Sequence, residues 1–585
     1  MTLDTKKVKR LWDYLRPYWH LELLTFLVMA VLATLALALP VAVKYLIDDL
    51  IPGLIAGADN GIRIKPVVYF GLVLGGIYFA QIIFSWARDY LAGYIGANII
   101  ADLRSQLFGH LERLSLKFHQ SHQVGEIMSR TISDVNRIQS LLTSTLLIFL
   151  TNIFMLTAIM VYLLSTNWIL TLVAIIPLPL TILLANKFGI RLHRISKKLQ
   201  ETIASFSARL QESLVSIKTI KAFGQESAEQ KKMDKILSGL TALYVKNSVT
   251  ISLSANLVNF VNMIGPIVVL SWGTYLIAGG TMKLGTLMAF YMLLSYLYTP
   301  VQSLASLHIE IKSAMASVDR LFEYLDIPPA VIEHNNPIIL QKSRGAIGID
   351  SIRFHYQDNG FGLEHFSLKI AAREKIAVVG PSGSGKTTLV NLIARFYDPD
   401  AGTISLDGID MRRISLESLR RNITLVDQEP LLFKTTIFNN IAYSNPDRNP
   451  DEVKKAAIVA NIHDFIMSLP DGYETEVGER GVTISGGEKQ RICLARAILP
   501  DPAILILDEA TSALDSRSEE LIQEALQNIL KDKTAIIIAH RLSTIQHADR
   551  IIVIDRGRII DQGSHEELLE KSPLYRELAK RQLKI

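Results

Sequence analysis

The chain has 585 residues, is 49% hydrophobic and has a mean hydropathy of +0.27. That length exceeds one ordinary core, and a positive mean hydropathy is rare in soluble enzymes, so part of the chain is expected in lipid. A net charge of +5 gives no reason to expect a nucleic-acid partner, and a single cysteine, Cys493, excludes an internal disulfide framework.

The first twenty residues are polar and basic, with no cleavable signal evident. Residues 10–15 are amphipathic and are expected along the inner membrane interface. Apolar runs of about 20 residues, the length that crosses ~30 Å of hydrocarbon, then predict spans near 21–46, 66–92, 138–164, 168–190, 249–278 and 284–306. Lys6, Lys7, Lys9, Arg10 and Arg16 precede the first span, and Lys187, Arg191, Arg194, Lys197 and Lys198 follow the fourth. The links at 165–167 and 278–283 carry almost no positive charge. The N-terminus, the two long connections and the C-terminal half are therefore expected on the cytoplasmic side. Leu103, Leu107, Leu111 and Leu114 keep helical spacing beyond the second span, so spans 2 to 5 are expected to run on as rods.

Polar side chains recur within the spans. Asn256, Asn259 and Asn262 step by three on span 5, and Tyr291, Ser295, Tyr298 and Gln302 step by four, three and four on span 6. Two readings stand: both stripes line a moderately polar, aromatic substrate cavity, or they hydrogen-bond between helices. Arg88, with Asp89 beside it, is the main basic candidate near the inner end of span 2. Pro177, Pro179, Pro266 and Pro300 are expected to kink their spans.

The composition changes near residue 326. Residues 1–326 read as a membrane domain, 327–345 as a linker and 346–585 as an α/β domain, with short apolar strands at 375–379, 503–507, 535–538 and 551–554. Gly380-Pro381-Ser382-Gly383-Ser384-Gly385-Lys386-Thr387-Thr388 follows one of these strands and opens a helix, the context of a Walker A loop. Its glycines let backbone N–H groups turn toward phosphate oxygens at a helix N-terminus. Lys386 is placed for the β- and γ-phosphates and the Thr387 hydroxyl for Mg²⁺. The strand 503–507 ends in Asp508, placed to hold Mg²⁺ through water, and Glu509, placed as general base toward the attacking water.

With these motifs in this order, the chain resembles a half-transporter of the ATP-binding cassette (ABC) exporter family, over nearly its whole length. The likeness is to bacterial homodimeric multidrug or lipid exporters related to the lipid A flippase. It implies a type IV fold, six membrane helices in an all-α domain followed by an α/β P-loop nucleotide-binding domain, with ATP and Mg²⁺ as cofactors. By resemblance Tyr356 stacks on adenine, and Gln428 senses Mg²⁺ and contributes to catalysis. Residues 475–481 match the exporter loop that contacts the partner's membrane helices. Ser485, Gly486, Gly487 and Glu488 form the signature that binds ATP across a dimer, Asp515 links the two sites, and His540 is the switch histidine at the γ-phosphate. One cassette per chain implies two chains per active unit; intact catalytic residues make a homodimer sufficient, with a heterodimer left open.

The resemblance also assigns coupling segments. Phe118, Gly125, Ser129, Arg130 and Asp134 match the first intracellular loop, and 217–223 with Glu226 match the second, where Ser216 replaces a frequent glycine. The lipid A flippase has basic residues where this chain has Thr299 and Gln302, and span 3 has no internal Arg (Thr151-Asn152-Ile153), which disfavours a dianionic headgroup. The expected cargo is an amphipathic or hydrophobic drug, lipid or peptide, exported or flipped across the inner membrane. No room is seen for an N-terminal peptidase domain, and export of an already mature peptide stays open. Two rivals are weighed: a soluble ABC ATPase, opposed by the six spans, and an ATP-gated channel, opposed by intact Glu509 and His540. One departure stands out. The signature opens Ile484-Ser485-Gly486-Gly487-Glu488, where the family has Leu first and Gln fifth, so a carboxylate sits where a phosphate must arrive.

Overall fold

The computed structural model describes residues 5–56, 64–356, 362–445, 448–478, 484–508, 516–538 and 548–582. Two compact units emerge, Met1–Glu112 with His122–Ile327, and Arg113–Ser121 with Pro328–Ile585.

The first unit is helical, and among its described residues six helices are long and apolar enough to cross a membrane. Helix α1 (Thr5–Leu15) buries Leu11 and Leu15 and leaves Trp12 exposed, as an amphipathic helix must. Then come α2 (Trp19–Tyr45), α3 (Ile64–Leu111), α4 (Leu116–Ser121) and α5 (Val124–Thr166), the last interrupted by wide turns at Arg130–Asp134 and Leu141–Thr145. Helix α3 has 48 residues, about 72 Å at 1.5 Å per residue, more than twice a bilayer core. Its last turns bury Ile95, Ile99, Leu103, Leu107 and Leu111, so the rod expected beyond span 2 is present.

Helix α6 (Trp168–Ile175) starts at Asn167, whose extended backbone leaves its side chain free to accept from the Leu170 N–H at 2.9 Å. Pro177 has no N–H to continue the ladder, and the chain breaks at Ile176 before α7 (Pro177–Val215). Helices α8 (Ile217–Ala222), α9 (Glu226–Ala278) and α10 (Leu284–Leu325) complete the unit; Pro266 and Pro300 lie inside α9 and α10, which run on through them. The apolar core of this half gathers Ile159, Leu163, Leu170, Val269, Phe290 and Leu294 from four of these helices.

Among its described residues the second unit contains two sheets. Strands β1 (Ile347–His355), β2 (Gly362–Ile370), β3 (Lys375–Val379), β4 (Ala401–Leu406), β5 (Ile409–Asp410), β6 (Ile423–Val426), β7 (Ile504–Asp508), β8 (Thr534–Ile538), β9 (Arg550–Asp555) and β10 (Arg558–Gly563) sort as β2-β1-β4-β5, antiparallel, and β10-β9-β3-β8-β7-β6. In the larger sheet β9, β3, β8, β7 and β6 are parallel and β10 is an antiparallel edge. One face packs against helices and the other against the antiparallel sheet and the helix Lys386–Ile393, so the central strands are apolar throughout. Alternate residues feed opposite cores: Ala377, Leu505, Leu507 and Ile537 one, Ile376, Val378, Ile506 and Ile536 the other.

Candidate functional site

The Walker A loop leaves β3 at Val379 and enters α11 (Lys386–Ile393). Gly380 is required by space, because a Cβ there would lie 2.1 Å from the Ile554 carbonyl oxygen. Gly383 and Gly385 have φ of +76° and +111°, conformations that favour glycine. Lys386 is nearly buried, and its Nζ donates to the Gly380 and Pro381 carbonyls at 2.9 Å each, which holds the ammonium inside the loop. The Ser384 hydroxyl is buried with no hydrogen-bond partner among the described residues, whereas Ser382, Gly383 and Thr387 face solvent and Thr388 is buried. A buried cation, an orphan hydroxyl and a helix N-terminus without a side-chain cap suit a polyphosphate.

Sheet register brings the other groups to the same edge. Val378 pairs with Ile538, Ile538 with Asp508, and Leu507 with Val426. The Walker A loop, Asp508 and Gln428 therefore leave the C-terminal ends of parallel strands, with β3 and β7 two strands apart, about 9–10 Å. Gln428 and Thr387 are exposed and Asp508 is half-buried. No cluster of three His, Cys, Asp or Glu occurs among the described residues. A hydroxyl, an amide oxygen and one carboxylate suit a hard cation that keeps waters and shares phosphate oxygens, as Mg²⁺ does. Glu509, Asp515 and His540 lie outside the described residues, as do Glu479, Arg480 and Gly481.

Tyr356 sits at the end of β1, half-buried, edge-on to Phe354 at 5.0 Å and to Tyr397 at 5.6 Å. The Asn391 side-chain amide, on α11, donates to its hydroxyl at 3.5 Å. The ring is thus tied to α11, the helix that follows the Walker A loop.

The signature helix α12 (Gly486–Ile498) begins with a capping box. The Ser485 hydroxyl accepts from the Glu488 N–H at 3.4 Å, and the Glu488 carboxylate accepts from the Ser485 N–H at 2.9 Å. Ser485 and Gly486 are exposed, Gly487 is buried and Glu488 is half-buried. The negative charge noted in the sequence is therefore engaged at the very N-terminus a phosphate would approach. Arg496, near the other end of α12, donates to the Leu431 carbonyl at 2.9 Å and to Asn440 twice at 2.7 Å, and lies over the Phe433 and Tyr443 rings. It joins α12 to the segment just after Gln428, a link that no local sequence pattern announces. A cavity of about 670 Å³ opens here, lined among others by Leu431, Tyr443, Cys493 and Arg496. Burial pushes the Cys493 thiol above its ordinary value, against a smaller opposing effect of Arg496.

The membrane stripes do not hold together. On α10, Tyr291 and Ser295 are exposed, but Tyr298 is 6% exposed and its hydroxyl donates to the Ala174 carbonyl at 3.1 Å. Gly265 makes room, since a Cβ there would meet that hydroxyl at 2.0 Å. Tyr298 is thus an interhelical strut among α6, α9 and α10, and its expected place on the cavity stripe is corrected. Asn262 also turns inward, accepting from the Thr181 hydroxyl at 2.7 Å, while Asn256 and Asn259 are exposed and Asn256 donates to the Ser252 hydroxyl. The side chain of Gln302 lies outside the described residues. Arg88 pairs with Asp89 at 2.8 Å and donates to the Ser85 hydroxyl, so its charge is compensated.

Two residues matched to the first intracellular loop hold the loop itself. Asp134 is buried and accepts from Ser317 at 2.8 Å and from the Arg320 guanidinium at 2.5 and 2.9 Å. Arg130 lies 3.7 Å over the Tyr324 ring and pairs with Glu126 and Glu323. Both fasten α5 to the end of α10. The tip of the second connection is different: Leu214, Val215, Ile217 and Phe223 are exposed around the positive-φ turn at Gly224.

Comparison with known proteins agrees with this architecture. The ABC transporter transmembrane region is matched by residues 23–301, and the ABC transporter ATP-binding domain by residues 363–512. YgaD of Bacillus subtilis, named as a multidrug export ATP-binding/permease protein, is 35% identical over 572 residues, 98% of each chain. The ATP-dependent lipid A-core flippase of Syntrophus aciditrophicus is 37% identical over 98% of this chain and 94% of its own. The solved structure of a bacterial Atm1-family ABC exporter with ATP bound superposes with a TM-score of 0.78 at 30% identity, covering 97% of this chain and 98% of that one.

Proposed function

The chain belongs to the ABC transporter family as an exporter of the multidrug and lipid type, a multi-pass membrane protein that couples ATP hydrolysis to transport, and on that premise we propose that two copies close around two ATP molecules to move an uncharged or weakly charged amphipathic cargo out of the inner membrane. The carrying observation is the exposed, capped N-terminus of α12, where Ser485 and Gly486 are open to solvent. In this reading a second copy brings its bound ATP to this N-terminus, and the active unit is a dimer, with a homodimer sufficient. The exposed apolar tip around Ile217 and Phe223 has the chemistry to fill the partner's cavity beside Leu431 and Tyr443.

In this reading Tyr356 stacks on adenine, the Walker A amides and Lys386 hold the phosphates, and Ser485, Gly486 and Gly487 of the partner copy close the site. Thr387, Gln428 and Asp508 would hold Mg²⁺, which would neutralise charge on the phosphate oxygens. Glu509 takes the proton of the attacking water, and His540 and Lys386 stabilise the charge that develops on the γ-phosphoryl group. Closure biases the six spans outward and product release resets them. The N-terminus and cassette face the cytoplasm. The paired Arg88 and the absence of basic side chains at Tyr291 and Ser295 favour neutral, cationic or zwitterionic cargo over a phosphosugar lipid. Reconstituted protein should show ATPase activity stimulated by such amphiphiles and lost in Glu509→Gln. Ion current without turnover would favour a channel instead.

A further inference from the structure

The inner ends of the first two spans carry polar and aromatic side chains that the nucleotide cycle does not use. On α3, Trp86, Tyr90, Tyr94, Asn98, Asp102 and Gln106 follow at steps of four and form one stripe. Its lower rungs are filled: the Tyr14 hydroxyl donates to the Gln106 side-chain carbonyl, and the Tyr18 hydroxyl donates to Asp102 at 2.9 Å. Tyr14 and Tyr18 are themselves four residues apart, so the next rung belongs to Glu22, in the first turn of α2 and level with Asn98. That rung has no donor. Both Glu22 carboxyl oxygens are buried without a hydrogen-bond partner among the described residues, and the Asn98 amide donates to the Tyr94 carbonyl at 2.8 Å instead.

Above this rung the stripe turns away from α2, because steps of four on an α-helix drift by about 40° each. Trp86, Tyr90 and Tyr94 are exposed, and their rings stack, 5.8 Å apart with planes at 20° and then 6.5 Å apart at 21°. The three rings make a wall about 12 Å long that ends at the donorless rung. Arg88 puts no free positive charge beside it, being paired with Asp89 and bonded to the Ser85 hydroxyl. An interfacial girdle explains Trp and Tyr at this depth. It does not explain three near-parallel rings on one face, or a donorless carboxyl group at the end of a span, which is costly in lipid and marks a binding position.

Electron-rich ring faces and a carboxylate lacking a partner are complementary to one class of ligand, a lipophilic organic cation that carries aromatic rings. We propose that Glu22 and the wall of Trp86, Tyr90 and Tyr94 form an entry site for such cations from the inner leaflet. The inference rests on the exporter reading and deepens it by naming the charge of the cargo and the side chains that select it.

The test uses the full chain in phosphatidylcholine nanodiscs, with empty nanodiscs as the control. Two probes of similar size serve: methyltriphenylphosphonium, a permanent cation, and triphenylphosphine oxide, which is neutral. Equilibrium dialysis measures binding, and ATPase stimulation measures use. The protein should bind the cation more tightly than the oxide. Glu22→Gln should weaken cation binding about tenfold, the scale of one charge–charge contact at a partly exposed site, and shift the oxide less than about twofold. Tyr90→Leu keeps an apolar contact but removes the middle ring face, and should weaken cation binding about threefold to tenfold. A protein with no preference for the cation, or a Glu22→Gln variant that shifts both probes equally or neither, overturns the inference. Loss of the dimer in Tyr90→Leu, read by light scattering, also overturns it, because the wall would then be packing between copies. Dialysis needs no turnover, so Glu22-dependent cation binding without ATPase stimulation by either probe supports the site and counts against the exporter reading instead.

Discussion

Glu488→Gln removes one negative charge from the phosphate-receiving end of α12 while keeping its capping geometry, because a glutamine carbonyl can accept the same Ser485 N–H that the carboxylate accepts at 2.9 Å. A phosphate bound at this N-terminus would lie roughly one hydrogen-bond length beyond the backbone it contacts, about 6 Å from the carboxylate. At an effective dielectric of about 40–80, suited to a half-exposed site, the repulsion is about 0.7–1.4 kcal/mol per unit charge. Loss of the acid's own interaction with the helix dipole, about 0.3–1 kcal/mol, acts in both open and closed states and mostly cancels. The net expectation is about 1 kcal/mol in favour of ATP-driven closure, which is about fivefold. ATPase rates of reconstituted protein against ATP concentration should show half-saturation falling about fivefold in Glu488→Gln. The shift should shrink as salt is raised, because the charges are partly exposed. An unchanged or increased half-saturating ATP would refute the reasoning.

Three further expectations follow from the geometry. Gly380→Ala places a Cβ 2.1 Å from the Ile554 carbonyl and should abolish nucleotide binding, read by a fluorescent ATP analogue, without preventing membrane insertion. Tyr291→Ala should change cargo-stimulated ATPase more than basal ATPase, whereas Tyr298→Phe, which loses one buried hydrogen bond worth about 1 kcal/mol, should lower thermal stability and leave the cargo profile unaltered. The opposite pattern would restore Tyr298 to the pathway. Cys493, its thiol pushed above the ordinary value mainly by burial, carries less thiolate at neutral pH than free cysteine does. Alkylation measured by mass spectrometry should be slow near pH 7.5 and accelerate only as pH rises beyond the usual thiol range; rapid labelling at neutral pH would contradict it.

Much of this architecture is written locally in the chain. Twenty-residue apolar runs dictate the spans, Asn167 and Pro177 dictate where α6 starts and stops, and apolar strands such as Ile504–Asp508 announce a sheet buried on both faces. The Walker A glycines are legible as a pattern because space excludes a side chain at Gly380 and positive φ favours glycine at Gly383 and Gly385. Tyr298 was not legible. Its spacing matches Tyr291 and Ser295, but its direction depends on room left by Gly265 and on the Ala174 carbonyl next to the break at Pro177, both distant in sequence. Asp134 and Arg130 match a loop motif by resemblance, yet their partners Arg320 and Tyr324 lie nearly two hundred residues away, beyond any local pattern. The charge of Glu488 was visible in the sequence; its engagement with the Ser485 N–H was not.

The central claim, that ATP closes two copies with one copy's α12 facing the other's Walker A loop, is tested most directly by an ATP-dependent cross-link. In a Cys493→Ala, Glu509→Gln background, Ser382→Cys and Gly486→Cys place thiols at two exposed positions, one on each half of the proposed site. Oxidation in proteoliposomes with ATP should convert the 65.2 kDa chain to a disulfide-linked species of twice that mass on non-reducing gels, and should do so far less without ATP. A chain that stays monomeric with ATP, or cross-links equally without it, would contradict the account.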